Sequence, residues 1–246
     1  KKTNKQTWRG DGLWLRFCYF KDRFFHGFFL FSFIFFEKKK KKPYCHSFLS
    51  FKIKMDPEVP IHSACANGEI EIVKLFLRNK GADDINETNN DGATPISIAC
   101  VYGQIEIVQL LFRDKRVDVN KANNNGATPF YIACYFGHFQ VVKLLSNNKR
   151  IDVNKTNKNG ATPFYIACQE GYIEIVKFLL GDKRIDMNKA NGELSPFFVA
   201  CEKGHIDIVE LLLDNQRVGD LNKANRDGAT PFWIACYKGY IEVVKL

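Results

Sequence analysis

A phrase that recurs six times along the chain constrains its fold more than any other feature. It reads Pro-x-x-x-Ala-Cys-x-x-Gly and is followed by an apolar run of the type Ile-Glu-Ile-Val-Lys-Leu. The spacings between successive copies are 35, 34, 34, 33 and 35 residues, with the prolines at Pro60, Pro95, Pro129, Pro163, Pro196 and Pro231. Self-similarity at this period predicts a stack of supersecondary units, because each unit is too small to bury its own apolar face.

The second copy shows the local structure that each repeat encodes. Residues 89–92, Asn-Asn-Asp-Gly, are a turn signal, and Thr94-Pro95 is typical of a helix N-cap followed by the first helical position. A short helix then ends near Gly103, a second and more apolar helix follows, and residues 117–120 form an extended arm. The predicted order in each repeat is turn, helix, turn, helix and extended arm.

These features are similar to those of the ankyrin repeat, which has a period of about 33 residues and a Thr-Pro-Leu-His-x-Ala phrase. The Thr-Pro or Ser-Pro step is present at Thr94-Pro95, Thr128-Pro129, Thr162-Pro163, Ser195-Pro196 and Thr230-Pro231. Other matches are Gly137-His138, Gly204-His205, Asp118-Val119-Asn120 and Asp152-Val153-Asn154. The resemblance runs from about Pro57 to Leu246. It implies an all-α ankyrin-repeat solenoid of stacked helix-turn-helix units with β-hairpin-like connecting loops.

The histidine of the ankyrin phrase is the main departure from the family pattern. It is kept only as His62, and its place is taken in the later copies by Ser97, Tyr131, Tyr165, Phe198 and Trp233. The resemblance implies that this histidine ties the turn to the start of the helix, so other contacts must replace it here. We expect the aromatic residues at this position to pack against the next repeat, because aromatic side chains bury much area.

Charge divides the chain into two parts. Residues 1–55 hold 14 Lys and Arg against 3 Asp and Glu, whereas residues 56–246 hold 22 against 24. We therefore expect an atypical Phe/Lys-rich segment over residues 1–55, disordered or not native, and an ankyrin-repeat domain over residues 56–246. The repeats are predicted at about residues 57–91, 92–125, 126–159, 160–192, 193–227 and 228–246, the last of them truncated. Because the repeat part is close to neutral, no nucleic-acid partner is expected for it.

The first 55 residues leave three interpretations open. Phe24 to Phe36 is an uncharged run of 13 residues, shorter than the roughly 20 needed to span a bilayer, and Lys38 to Lys42 follows it. Phe and Lys runs are typical of translated AT-rich non-coding DNA, which favours a misplaced start upstream of Met55. Alternatively, residues 24–42 contact a membrane surface, or the segment is a disordered basic tail. At the other end, Leu246 lies inside a second helix, so we expect further repeats or another domain to follow.

Six of the eight cysteines share one repeat position: Cys65, Cys100, Cys134, Cys168, Cys201 and Cys236. Stacked helices lie roughly 8–10 Å apart, whereas a disulfide needs Cα atoms within about 7 Å. We interpret these residues as small buried hydrophobes in a reduced, cytoplasmic compartment. The pairs Cys134/His138 and Cys201/His205 share a Cys-x-x-x-His spacing but belong to different repeats, so we expect no metal and no cofactor.

The sequence indicates binding rather than catalysis. It has no Gly-rich phosphate loop after a strand pattern, no His-Glu-x-x-His and no Gly-x-Ser-x-Gly, so an enzyme is not expected. The family resemblance implies a non-catalytic protein–protein interaction module, a scaffold or adaptor, that binds one protein partner on its concave surface as a monomer. Two alternatives stay open: a regulatory or targeting arm of a larger enzyme or channel, and a membrane-tethered adaptor that uses the N-terminal segment.

The candidate partner-binding residues lie at the hairpin tips and on the first helices, where the resemblance places the partner. The tip candidates are Asn90, Asn124, Lys158 and Arg226. Those on the first helices, six or seven residues after each proline, are Tyr102, Tyr135, Phe136, Glu170, Lys203, Tyr237 and Lys238. These positions vary between copies, as a recognition surface on a repeated frame would. We expect the aromatic members to be the main anchors, because aromatic residues are enriched at interface hot spots.

Overall fold

The computed structural model describes residues 9–10, 13–14, 61–78, 83–189 and 191–246. The chain divides into two units, residues 1–52 and residues 53–246. In the first unit, strands β1 (Arg9–Gly10) and β2 (Leu13–Trp14) pair antiparallel. The Phe24 to Phe36 and Lys38 to Lys42 runs lie outside the described residues, so the interpretations of this segment remain predictions.

The described residues of the second unit form six pairs of short helices joined by turns. In chain order the helices are α1 (Ile61–Asn67), α2 (Ile70–Arg78), α3 (Pro95–Val101), α4 (Ile105–Arg113), α5 (Pro129–Tyr135), α6 (Phe139–Ser146), α7 (Pro163–Glu170), α8 (Ile173–Leu180), α9 (Pro196–Lys203), α10 (Ile206–Leu213), α11 (Pro231–Lys238) and α12 (Ile241–Lys245). A 3₁₀ turn, Asp83–Asn86, lies between α2 and α3. Successive first helices pack on one another, as do successive second helices, and the predicted all-α solenoid is confirmed. None of the described helices is long and apolar enough to cross a bilayer.

A side-chain cap and a proline start the first helix of each repeat from α3 onward. Thr162 is fully buried, and its Oγ1 accepts a hydrogen bond from the Tyr165 backbone N–H at 3.0 Å. Thr94, Thr128, Ser195 and Thr230 make the same bond. The cap satisfies one free N–H of the first turn, and the proline that follows has no N–H to leave unsatisfied. The local residues therefore place the start of each helix.

The recurring Ala-Cys pair lies at the contact between first helices. Ala99, Ala133, Cys100 and Cys134 have no solvent exposure. Because their side chains are small, one first helix approaches the next closely, and large rings fill the space beside them. The fully buried ring of Phe130 is one example. The Ala-Cys pair therefore forms the packing surface of the stack, and these cysteines are the small buried hydrophobes that the sequence predicts.

Each phrase ends in a glycine with positive φ, and in four of the six copies an added Cβ atom would also lie within 3.0 Å of a side chain of the next repeat. Gly137 has φ of +74°, a left-handed conformation that side chains other than glycine rarely adopt. A Cβ atom on Gly137 would also lie 2.5 Å from Cε1 of Tyr172 in the next repeat. Similarly, a Cβ atom on Gly103 would lie 2.6 Å from the Nδ1 of His138 in the next repeat. The glycine of one repeat therefore packs closely against the His or Tyr ring that follows the equivalent glycine of the next repeat.

An asparagine in each extended arm links that arm to the next one. The Nδ2 of Asn120 donates to the Arg150 carbonyl at 2.6 Å, and its Oδ1 accepts from the Asp152 N–H at 3.0 Å. Asn86, Asn154 and Asn188 make the equivalent pairs of bonds. Asn188 accepts from the N–H of Gly219, whereas the other three asparagines accept from the N–H of an aspartate. The link is therefore kept where the sequence of the arm differs.

Arginines of the same arms bind backbone carbonyls of the preceding repeat. The guanidinium of Arg150 donates to the Val117 carbonyl at 2.9 Å and lies 5.9 Å from the centre of the Phe112 ring. Arg217 donates to the carbonyl of Leu180, the last residue of α8, at 3.2 Å. Each cation lies near the negative end of a second helix, where it is electrostatically favourable. Sequence reasoning missed this role, although the recurrence of Arg before the arms, at Arg116, Arg150, Arg184 and Arg217, was the available signal.

Candidate functional site

The residues six and seven positions after the prolines form one surface, because the first helices that carry them are stacked in order. We call this surface the first-helix strip. Its exposed or partly exposed members are Ala66, Asn67, Val101, Tyr102, Tyr135, Phe136, Gln169, Glu170, Glu202, Lys203, Tyr237 and Lys238. The structure thus places all seven first-helix candidates on one side of the stack.

Three aromatic members of the strip differ in exposure from the rings that directly follow the prolines of α5 and α7. The exposed fractions of Tyr102, Tyr135 and Phe136 are 42%, 40% and 44%. In contrast, Phe130 and Phe164 are fully buried. The exposed rings therefore contribute less to the packing between repeats than the buried rings do.

Contacts inside the chain hold the exposed rings in place. The rings of Tyr135 and Phe136 meet edge to face with their centres 5.0 Å apart. Phe136 also stacks on His138, at 6.3 Å and an interplanar angle of 22°. His138 is itself fixed, because its Nε2 is 2.9 Å from the Val101 carbonyl, which can only accept a hydrogen bond. A partner would therefore meet aromatic rings whose positions are already restricted.

The carboxylates of the strip lie beside buried tyrosines. Burial raises the pKa of Tyr131, and the nearby Tyr135 and Glu170 raise it further. Burial raises the pKa of Tyr172 as well, and Glu170 and Tyr135 add to that shift. Glu170 lies on α7, which packs on the helix α5 that carries Tyr135. One of its oxygens accepts from the Gln169 side-chain amide at 2.9 Å.

Neither carboxylate of the strip has a cationic partner among the described residues. The ion pairs within 4.0 Å in this part of the chain use Glu71, Asp114, Asp182, Glu193 and Glu242. Glu170 and Glu202 are in none of them, and both are partly buried. Lys203 and Lys238 follow as exposed cations on α9 and α11. Along the stack the strip therefore runs from the aromatic rings of α5 to the carboxylates Glu170 and Glu202. Lys203 directly follows Glu202, and the exposed Tyr237 lies beside Lys238 at the far end.

The tip residues contact one another across neighbouring repeats. Asn124 donates from its side chain to the Asn90 carbonyl and from its N–H to the Asp91 carbonyl, each at 2.9 Å. The N–H of Lys158 makes the next such link, and Arg226 forms an exposed ion pair with Glu193 at 3.3 Å. Asn124 is thus a structural link between tips as well as a candidate contact residue.

The replacements for the family histidine are mostly buried, as expected. His62 bonds to the Ala93 carbonyl at 3.1 Å through its Nε2. Where Tyr131 replaces it, the phenol oxygen accepts from the Asn157 side chain of the next turn at 3.1 Å, so a new hydrogen bond accompanies the packing. Trp233 departs from the expected burial, since it is 52% exposed and stacks on Tyr237 at 5.1 Å. In earlier copies a following helix pair covers this position.

The repeated cysteines behave as apolar residues. Burial raises the pKa of Cys65 and Cys201 to about 12, and it raises the pKa of Cys100, Cys134 and Cys168 as well. Cys236 differs, because its position on α11 is exposed. A thiol with a raised pKa is neither a good nucleophile nor a ready metal ligand. Among the described residues, no three or more His, Cys, Asp or Glu side chains are grouped to hold a metal ion.

Comparison with protein families identifies the repeat. The family described as "Ankyrin repeats (3 copies)" matches residues 38–123, 115–191 and 183–246. These matches span most of the chain and agree with the stacked helix pairs. Comparison with curated proteins gives no significant match. Ankyrin repeats are in general protein–protein interaction modules. This chain belongs to the ankyrin-repeat family.

Proposed function

We propose that this chain is a non-catalytic protein-binding module, a scaffold or adaptor that captures one protein partner on the first-helix strip. The tip residues Asn90, Asn124, Lys158 and Arg226 border the contact in this proposal. The observation that carries it is the exposure of Tyr102, Tyr135 and Phe136 on the strip, whereas Phe130, in the same repeat as Tyr135 and Phe136, is fully buried.

The energetic argument is that these rings retain apolar area for a partner to cover. Tyr and Phe side chains bury about 150–250 Å² when fully enclosed, and apolar burial contributes roughly 25 cal/mol per Å². Aromatic residues at the centre of an interface often account for about 2 kcal/mol or more each. Because the rings are already restricted by contacts such as that of Phe136 with His138, little side-chain entropy is lost on binding.

The test is capture of partners by the full chain and by a strip variant. The variant Tyr102→Ala/Phe136→Ala/Tyr237→Ala should retain less than about a tenth of the partner bound by the wild type, since it removes several anchors. Quantitative mass spectrometry of the captured proteins provides the measurement. Leu213→Ala is the matched control, because Leu213 is 37% exposed on the second helix α10.

The result that contradicts the proposal is equally specific. If the triple variant captures the same proteins in the same amounts while its thermal unfolding is unchanged, the strip is not the binding surface. Loss of capture with Leu213→Ala alone would instead place the partner on the second helices.

We also propose that the domain is a monomer and works in a reducing, cytoplasmic compartment. The support for the compartment is the cluster of buried, free thiols on the first helices, exemplified by Cys100 and Cys134. Light scattering tests the monomer, and fractionation of cells with an antibody against the repeats tests the location. Recovery only from secreted or organelle-lumen fractions would contradict the second part.

A further inference from the structure

We infer that the partner segment is an extended peptide that places an apolar side chain against Tyr135 and Phe136 and, about three residues further along, a Lys or Arg side chain between Glu170 and Glu202. This inference rests on the proposed function and names the chemistry of the partner at the same surface.

Charge complementarity carries the basic residue of this motif. Glu170, seven residues after Pro163, and Glu202, six residues after Pro196, lie on the adjacent first helices α7 and α9. Neither has an ion-pair partner among the described residues. A carboxylate has about four acceptor sites, and the Gln169 amide at 2.9 Å occupies one site of Glu170. The remaining acceptor sites suit the multiple N–H donors of a guanidinium or an ammonium group.

The aromatic neighbours favour the same ligand. Glu170 lies on α7, which packs on the helix α5 that carries Tyr135, and the Tyr135 ring meets Phe136 edge to face at 5.0 Å. A cation at the carboxylate therefore lies close to aromatic faces, which attract it further when water is excluded. The methylene stem of Lys or Arg packs on the same rings. An acidic side chain at this place would meet two carboxylates and be repelled.

Helix spacing sets the distance between the two key residues of the peptide. Packed helices lie roughly 8–10 Å apart, and an extended chain advances about 3.3 Å per residue. A peptide that follows the stack thus advances about three residues per repeat. The step from Phe136 on α5 to Glu170 on α7 is one repeat.

The far end of the strip limits where the basic residue can lie. Lys203 on α9 and Lys238 on α11 are both exposed cations. Lys203 directly follows Glu202, so the basic residue of the peptide lies on the Glu170 side of this pair. An Asp or Glu one or two repeats beyond Glu170 would pair with Lys203 or Lys238, whereas a second Lys or Arg would be repelled. The expected motif is therefore apolar, then basic, then acidic, in steps of about three residues.

A peptide library tests this inference with the full chain. Phage that display random 12-residue peptides are selected on the wild-type protein at low salt. An extended peptide of this length spans roughly four repeats. We expect enriched peptides to carry an apolar residue and a Lys or Arg three positions apart. One selected peptide is then synthesised with a fluorophore, and its affinity is measured by anisotropy.

Charge reversal gives the decisive comparison. Glu170→Lys should weaken the affinity for the selected peptide by at least about fivefold. A peptide in which the basic residue is replaced by Glu should bind this variant more tightly than the original peptide does. Glu174→Lys is the matched control, because it makes the same charge change at an exposed position of α8 and should leave affinity unchanged.

Failure of this inference is distinguishable from failure of the proposed function. Selected peptides that lose affinity for Tyr135→Ala/Phe136→Ala but carry no Lys or Arg overturn the inference and leave the strip as the binding surface. The same holds for peptides whose affinity is lost with that variant but unchanged by Glu170→Lys. Peptides whose affinity is unchanged by either variant overturn the inference and the proposed function. A library that yields no binder overturns the extended-peptide inference alone, because a folded partner could still cover the strip.

Discussion

At the scale of single residues, polar side chains connect repeats that lie about 30 positions apart in the chain. Asn120 bonds to a carbonyl and an N–H of the next arm, so one side chain satisfies two backbone groups. Such groups are costly to leave unpaired when water is partly excluded. The asparagine is therefore selected by tertiary contacts rather than by local turn preference alone.

We predict that Asn120→Ala lowers the free energy of unfolding by about 1–2 kcal/mol, because the Arg150 carbonyl and the Asp152 N–H lose their shared partner. Urea unfolding followed by circular dichroism measures the change. Asn147→Ala is the control, since Asn147 is exposed at the end of α6 and makes no side-chain hydrogen bond among the described residues. Equal effects of the two substitutions would show that the link between arms contributes nothing.

At the scale of helices, the contact between neighbouring repeats depends on close approach over glycine. The ring of Tyr172, which precedes α8, covers Gly137, which follows α5. His205 covers Gly171 in the same way. An aromatic or imidazole ring over a glycine thus recurs along the stack and fixes the distance between successive helix pairs.

We predict that Gly137→Ala destabilises the domain by about 2–4 kcal/mol, because left-handed strain is added to the displacement of Tyr172. The control is Gly192→Ala, which has φ of +62° but nothing within 4 Å of the added methyl group. We expect that variant to cost only about 1 kcal/mol. Thermal unfolding compares the two. If both substitutions have the same cost, the ring over Gly137 moves away freely and close packing is not the reason for the glycine.

At the scale of the whole molecule, stability is the sum of the repeats and of the contacts between neighbours. The buried thiols of the first helices are part of each such contact. Their raised pKa means that the folded state holds its protons more tightly than the unfolded state does. The stabilisation is complete below the ordinary thiol pKa of 9.0 and is lost as the pH rises toward about 12.

We therefore predict that the free energy of unfolding is flat from about pH 7 to 8 and falls above pH 9, by up to about 1.4 kcal/mol per pH unit for each buried thiol. Urea unfolding in the presence of a reductant at several pH values measures the slope. Cys168→Ala should reduce the slope, because it removes a buried thiol, whereas Leu213→Ala, which removes no thiol, should leave it unchanged. A slope that is the same in all three proteins would contradict the prediction.

The starts of the helices, their number and the small residues between them could be predicted from the sequence, because each depends on a few adjacent residues. Thr162-Pro163 is sufficient to start a helix wherever the chain places it. The candidate strip could also be located, since its residues occupy fixed positions after each proline. The exposure of Trp233 could not, because it depends on whether a following helix pair covers that position.

By itself the sequence determined the period, the helix pairs and membership of the ankyrin-repeat family, because a repeated local pattern allows only stacking. The tertiary structure alone decided which rings face solvent and which carboxylates lack a partner. Phe130 and Phe136 belong to the same repeat, yet only the packing of the next helix buries the first and leaves the second 44% exposed. Burial and charge pairing depend on groups that are distant in the chain, and those contacts exist only once the repeats are stacked.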